Sequence, residues 1–408
     1  MKIIRFTSKK LEKIYNRGLL KSRRVEEKVR RIIEDVRVLG DEALLKYTKK
    51  FDGVKLSLKQ LKVSEIEISG AYQNISPNFV SSLKLIIENI NKFYRKGIRK
   101  SWKIKDADGA ILCENYTPLE KVGVYIPAGT APLVSCVYMT VLPAKIAGVK
   151  KIVLISPPNK QGYIDPHILV VADLLKVDEI YRVGGAQGIA ALAYGTKTIP
   201  RVDKIVGPGN IYVSEAKRQV FGLVDIDMIA GPTELVIIAN RYSDPKFIIA
   251  DLRAQTEHAG GLAILITNSK SLAKEVKSQG ENINGFIILT KDLKQAIEVA
   301  NKIAPEHLEI LVKNPRKIMR GIKNAGAIFL GPYSPTAVGD YVAGPSHVLP
   351  TGGTARFFSG LSVLDFVKSS HIISYSKKAL EKIKDPLEKI ACIEGMSKHL
   401  DSVKVRFL

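Results

Sequence analysis

The chain has 408 residues, 46% hydrophobic and 25% charged, with a formal net charge of +23. Such a length supports two to three α/β layers around full cores, and the apolar content excludes general disorder. No uninterrupted apolar run approaches the ~20 residues of a helical membrane span, so the sequence reads as that of a multi-domain globular protein.

The basic excess is concentrated early: 27 of the 63 Lys and Arg residues precede residue 106, away from every motif described below. No aromatic–basic interleaving accompanies it, so a solvated, Lys-rich helical surface accounts for the charge better than nucleic-acid binding does. The N-terminal MKIIRFTSKKLEK has no apolar signal core. Cys113, Cys136 and Cys392 lie far apart with no CxxC pair, which disfavours disulfides and thiolate zinc sites and fits a reducing cytoplasm.

From Val25 to Phe51, Val29, Ile32, Ile33 and Val36 recur at three- and four-residue spacing, the mark of one or two amphipathic helices. Residues 78–97 repeat the pattern, and the chain is expected to be mostly helical up to Trp102. The texture then changes to short apolar runs ending in Gly or Pro, GVYIP, KIVLISPP, EIYRVGG and KIVGPGN, and a second set follows, ELVIIA, AILIT, GFIILT, LEILV and AIFLG. Strand, turn and helix alternate in two series, which predicts two parallel-sheet units with a hinge near Gly231 and Pro232. From Phe358 onward no strand series is apparent, and the segment reads as an appended arm.

The stretch RAQTEHAGG, residues 253–261, concentrates an amide, an acid and an imidazole. On a helix Gln255 and His258 would lie about 60° apart and point to one spot, as two metal ligands can. Four of the six histidines, His258, His307, His347 and His399, sit in polar, glycine-flanked settings, mostly with an acid nearby: Glu306, Asp340 or Glu394. Gln, His, Asp and His donors suit a zinc-like ion, with the neutral carboxamide making the site more exchangeable than a cysteine-built one. His167 and His371 read as packing or surface residues. In APEHLEI a strand would send Glu306 and His307 to opposite faces, whereas a loop would let His307 act as base and Glu306 as water activator on one substrate. VGGAQGIAALAYG and VGPGNIYVSEAKRQV each lead a strand into a helix start, leaving N–H groups for an anion such as a pyrophosphate; neither matches G-x-G-x-x-G.

Taken in order, YIPAGTAPL, RVGGAQGIAALAYGT, GPGNIYV, IDMIAGPTEL, QTEHAGG, APEHLEI, GDYVAGPSHVLPT and IEGMSKH resemble the histidinol dehydrogenase family over essentially the whole chain. The resemblance implies an α/β fold of two incomplete Rossmann-like domains, similar to aldehyde dehydrogenases, with swapped terminal extensions. It implies a homodimer with active sites shared between chains, holding one Zn2+ per subunit, that uses NAD to oxidise L-histidinol through L-histidinal to L-histidine. By motif, the zinc would be bound by Gln255, His258, Asp340 and, from the partner chain, His399. NAD would meet Tyr125, Gln187 and Asn210. Thr233, His347 and Glu394 would join the metal ligands and His307 in binding substrate, with Glu394 reaching across the dimer. His307 would move protons and Glu306 activate water.

The implied layout is an N-terminal arm (1–22), a helical part packing with the second α/β domain (23–106), an NAD-binding domain (107–232), a second Rossmann-like domain with the metal and catalytic motifs (233–357), and a C-terminal arm serving the partner's site (358–408). Glu394 and His399 would lie about 140° apart on a regular helix, so either the helix breaks near Gly395 or the two residues flank a ligand from different sides. Ala128, Thr233 and Arg253 depart from the family's usual residues; Arg253 would face about 200° away from Gln255 on a helix. A paralogue acting on another small amino or sulfo alcohol is the nearest alternative, and a nucleic-acid-associated factor with a vestigial site is the alternative from another class.

Overall fold

The computed structural model describes residues 1–7, 9–17, 22–128, 131–258 and 260–408, so parts of YIPAGTAPL and QTEHAGG lie outside the described residues. The chain separates into two compact units, residues 1–97 with 119–366, and residues 98–118 with 367–408. No helix among the described residues is long and apolar enough to cross a membrane.

In chain order the strands are β1 (Lys2–Arg5), β2 (Trp102–Lys105), β3 (Ile111–Pro118), β4 (Lys121–Tyr125) and β5 (Lys151–Ser156). Next come β6 (Glu179–Arg182), β7 (Lys204–Val206), β8 (Asp225–Ile226), β9 (Glu234–Ala239) and β10 (Leu262–Thr267). The last are β11 (Gly285–Leu289), β12 (His307–Leu311), β13 (Ala327–Leu330) and β14 (Val367–Ser374).

The first unit holds two all-parallel sheets, ordered β6-β5-β4-β7-β8 and β1-β11-β10-β9-β12-β13. Their winding is the same: the earliest of the five consecutive strands lies in the middle, the next two to one side and the last two to the other. Each sheet therefore has a switch point, between β4 and β7 in one and between β9 and β12 in the other. The near-continuous apolar strands follow from burial on both faces. In the first sheet Val122, Val124, Ile152 and Leu154 enter one core, and Tyr125, Val153 and Ile155 the opposite one. In β9, Val236 and Ile238 alternate in the same way with Leu235 and Ile237. The two strand series expected from sequence are these two sheets. Both sheets, and the Gly231–Pro232 link, belong to one compact unit, so no boundary between units falls at the expected hinge.

The helix Arg23–Leu39 is capped by Ser22, whose side chain accepts from Val25 N, and ends at Gly40 with φ 58°. Its buried stripe Val29, Ile32, Ile33 and Val36 shares a core with Ile189, Leu192, Val213 and Val220 of helices Gly185–Tyr194 and Ile211–Val220. The first helices of this part thus pack on the first sheet's helices, where the stripe finds its matching apolar surface. Farther along, Asn89 Nδ2 donates to Val342 O at 2.9 Å and the Tyr94 hydroxyl accepts from Ser346 N at 2.7 Å, within residues 233–357. The segment before residue 23 also departs from a simple arm, because β1 pairs in parallel with β11 and extends the second sheet.

The second unit is a three-stranded antiparallel sheet, β14-β3-β2, followed by helices Lys377–Ile393 and Ser397–Lys404. Residues 367–374 were expected to lack a strand. Their mixed polar and apolar sequence has no burial alternation to betray one, since most of the strand is exposed, and its partner β3 lies some 250 residues earlier, beyond local pattern.

Candidate active site

Tyr125 ends β4, Gly184–Gln187 follow β6, and Gly207–Asn210 follow β7, so the glycine-rich turns gather at the carboxyl ends of the first sheet. Gly184 offers no side-chain cap to helix Gly185–Tyr194. Gly185 has φ 62°, and a Cβ there would stand 2.7 Å from Gln187 Oε1. Its N–H donates to the Tyr125 hydroxyl at 3.3 Å. Burial pushes that phenol up to about 12, keeping it protonated. Gln187 is 1% exposed and its Oε1 has no partner, an acceptor that a ligand can satisfy.

The second turn departs from expectation. The Asn210 side chain accepts from Tyr212 N and Val213 N at 3.0 and 3.2 Å, so the helix start consumes two N–H groups internally. The turn is braced from below. Gly207 N donates to Asp227 Oδ2 at 2.7 Å, Lys217 Nζ donates to Gly207 O at 3.0 Å, and the buried Lys217 and Asp227 side chains form an ion pair. A cleft of about 680 Å³ runs past Pro127, Gly209, Asn210, Pro232, Thr233 and His258.

At the second sheet the ionisable groups collect at the amino ends. Glu306 precedes β12 and His307 is its first residue, so one side chain leaves a bend and the other a strand. Both line a single cavity of about 220 Å³ together with Thr233, His258, Asp340 and His347. The loop alternative is therefore the one realised for Glu306. Its Oε2 accepts from the Thr233 hydroxyl and from Glu234 N at 3.0 Å. Burial raises the Glu306 pKa, against the lowering by His307, Thr233 and Glu234 N–H.

His307 Nδ1 lies 3.3 Å from the Glu234 carbonyl and 3.7 Å from Glu306 Oε2. A carbonyl only accepts, so Nδ1 carries a proton and, in the neutral ring, Nε2 carries the lone pair. Nε2 lies 3.3 Å from Asp340 Oδ1 but completes no hydrogen bond, leaving a buried nitrogen without a partner. Burial pulls the His307 pKa down, but the Glu306 charge and Asp340 outweigh it and the value is raised to about 9.

Helix Pro245–Gln255 stops at Gln255, and His258 lies in the turn that follows. The two residues thus do not share the regular helix considered from sequence. Gln255 Nε2 donates to Thr233 Oγ1 at 3.2 Å, which fixes the amide nitrogen and makes Oε1 the atom that would ligate a metal. Arg253 does face elsewhere, donating to Gln279 O at 2.9 Å. Asp340 is on helix Thr336–Tyr341, and its carbonyl accepts from His347 Nδ1 at 2.9 Å. His347 Nε2 lies 3.4 Å from Cys136 Sγ, so both ring nitrogens are engaged. Burial lowers the His347 pKa and pushes the Cys136 thiol up to about 12; a neutral ring accepting from a protonated thiol is consistent with both. No signal in the sequence marked Cys136, Lys217 or Asp227.

Among the described residues no group of three or more His, Cys, Asp or Glu side chains is arranged to hold a metal. The expected set offers only His258 and Asp340 of those types in the first unit, with the Gln255 amide oxygen as third donor. That oxygen and nitrogen donor chemistry fits a zinc ion with a place left for a further ligand. Glu394 and His399 belong to the second unit and are exposed. Glu394 caps helix Lys377–Ile393, Gly395 takes φ 68°, and His399 rides the next helix, so the chain breaks at Gly395.

Fold and site define an α/β enzyme of two doubly wound halves, with a glycine-turn cleft on one and a buried acid–imidazole pair on the other. The histidinol dehydrogenase family model matches residues 15–407. A histidinol dehydrogenase of Clostridium acetobutylicum is 50% identical over 396 residues, covering 93% of this chain and 91% of that protein. One of Listeria innocua is 50% identical over 403 residues, covering 95% and 94%. The crystal structure of histidinol dehydrogenase from Elizabethkingia anophelis superposes with a TM-score of 0.94 at 34% identity, covering 100% of this chain and 98% of that one. The chain belongs to the histidinol dehydrogenase family, and is thus an oxidoreductase of histidine biosynthesis.

Proposed function

We propose that the protein is an NAD-linked, zinc-dependent enzyme that oxidises L-histidinol through L-histidinal to L-histidine in the cytoplasm. The observation that carries the reading is the buried, unpartnered His307 Nε2 facing the cavity shared with Glu306, His258 and Asp340. Gln255, His258 and Asp340, joined by His399 of a second copy of the chain, would hold the zinc. Bound there, the ion supplies a fixed positive charge on which an imidazole and an amine can be oriented.

With Asp340 drawn to the zinc, a carboxylate that helps to hold a proton on His307 would be occupied, and the neutral ring would take the hydroxyl proton at Nε2 as hydride passes from the substrate carbon to NAD, its orientation set by Nδ1 on the Glu234 carbonyl. Glu306, aimed by Thr233 and Glu234 N–H, takes a proton from the water that adds to the aldehyde, and His307 serves again in the second oxidation. Tyr125, Gln187 and Asn210 line the NAD side, where the unpaired Gln187 Oε1 is ready to accept. Thr233, His347 and Glu394 contact the substrate, Glu394 from the second copy of a homodimer.

Counting NADH against L-histidinol tests the reading. The wild type is expected to form two NADH per histidinol, to lose activity on chelation and to regain it with zinc. Glu306→Gln is expected to halve the yield and accumulate free aldehyde. A wild-type yield of one, or equal turnover of amino alcohols that lack an imidazole, would overturn it.

A further inference from the structure

Glu309 is fully buried, at 0% exposure, in the middle of β12. It lies two residues beyond His307, on the same face of the strand. That face is otherwise apolar: Leu235, Ile237, Ile248, Leu252 and Leu311 make up its core. A carboxyl in such a layer needs partners. Glu309 Oε1 accepts from Thr336 N at 2.9 Å and from Thr336 Oγ1 at 2.7 Å, which pins the first residue of the helix carrying Asp340. The other oxygen, Oε2, has no conventional donor.

What it faces is a second carboxyl. Asp251, half-buried, is its electrostatic neighbour, on helix Pro245–Gln255, whose Ile248 and Leu252 pack into the same core as Leu311 of β12. It stands four residues before Gln255, one turn back on the same side of the helix. Two neighbouring carboxylates in such a layer cannot both remain ionised, so one proton bridges them. Burial pushes the Glu309 carboxyl up, and the Asp251 charge pushes it further; burial also raises Asp251.

We propose that Asp251 and Glu309 are positioning residues, a buried carboxyl pair that ties the helix carrying Gln255, the strand carrying His307 and the helix carrying Asp340 into one spacing. The role rests on the metal-site reading above. Neither residue lines the cavity; the pair holds the backbone from which two ligands and the base project, as outer partners of metal ligands do.

Zinc affinity, read by competition with a chromophoric chelator, separates this role from general stability, followed by thermal melting. Glu309→Gln keeps an acceptor for Thr336 and offers an N–H to Asp251, and is expected to hold zinc within about threefold of wild type. Glu309→Leu and Asp251→Ala are expected to weaken zinc about 10- to 100-fold and to lower kcat, even at temperatures well below their melting. If Glu309→Leu does not fold, Asp251→Ala with Asp251→Asn as its conservative rescue carries the same comparison on a half-buried helix position. Wild-type zinc affinity in Asp251→Ala, or no rescue by Glu309→Gln or Asp251→Asn, would overturn the pair's role. A wild type that binds no zinc would overturn the site reading itself, and this role with it.

Discussion

The two parallel sheets of the first unit wind identically yet use opposite edges. At the first sheet the candidate groups lie at and beyond the carboxyl ends of β4, β6 and β7, and they are backbone amides, a phenol and two carboxamides. At the second sheet they lie at the amino ends of β9 and β12 and are an acid and an imidazole, with a hydroxyl to aim them. Carboxyl ends feed helix starts, whose N–H groups hold an anion without any ionisable side chain. Proton transfer asks for something else: a buried side chain whose other atoms are already occupied. The amino ends hold a pair of that kind, because Thr233 and Glu234 enter β9 directly beside Glu306 and His307, which enter β12.

If chemistry resides on the second sheet alone, His307→Ala should lower kcat by about 10²- to 10⁴-fold while leaving NAD binding, followed by fluorescence titration, unchanged. A variant that keeps turnover within threefold would move the acid–base work elsewhere. The first sheet should fail in a different way. Lys217→Met leaves Asp227 buried without its cation beneath the Gly207 turn, and should cost about 3–5 kcal/mol in denaturant unfolding, with KM for NAD rising more than kcat falls. An equal fall in kcat at unchanged KM would mean that the brace serves the second sheet too.

The smallest expected effect concerns Asp52, which ends a helix packed on the first sheet's side and whose Oδ2 is buried without a partner. Burial raises its pKa to about 6, whereas an unfolded aspartate titrates near ~3.9. Between those values the folded state holds a proton that the unfolded state has lost, so stability falls as pH rises through the window. Asp52→Asn should therefore melt a degree or two higher than wild type above about pH 6 and alike below about pH 4. A melting difference constant across that range would show that its burial is not what titrates.

Local pattern carried much of this molecule. Short apolar runs, ending in Gly or Pro in the first series, marked nine of the ten strands of the two sheets' βα series, because strands buried on both faces must be apolar throughout. β8, two residues long, had no such mark. The histidines in polar, glycine-flanked settings also proved informative, since His258, His307 and His347 share one cavity. Pairing between distant segments was not legible: β1 on β11, β14 on β3, and the helix Arg23–Leu39 on the first sheet's helices rather than the second's. Those contacts depend on shape matching across hundreds of residues, which no window of sequence contains. Residue types and spacings determined which chemical groups the chain owns. Only the tertiary structure decided that Glu306 and His307 would line one cavity, that Glu309 and Cys136 would be buried near them, and that Lys217 would brace the Gly207 turn of the first sheet, because burial and hydrogen-bond partnership exist only once the sheets are assembled.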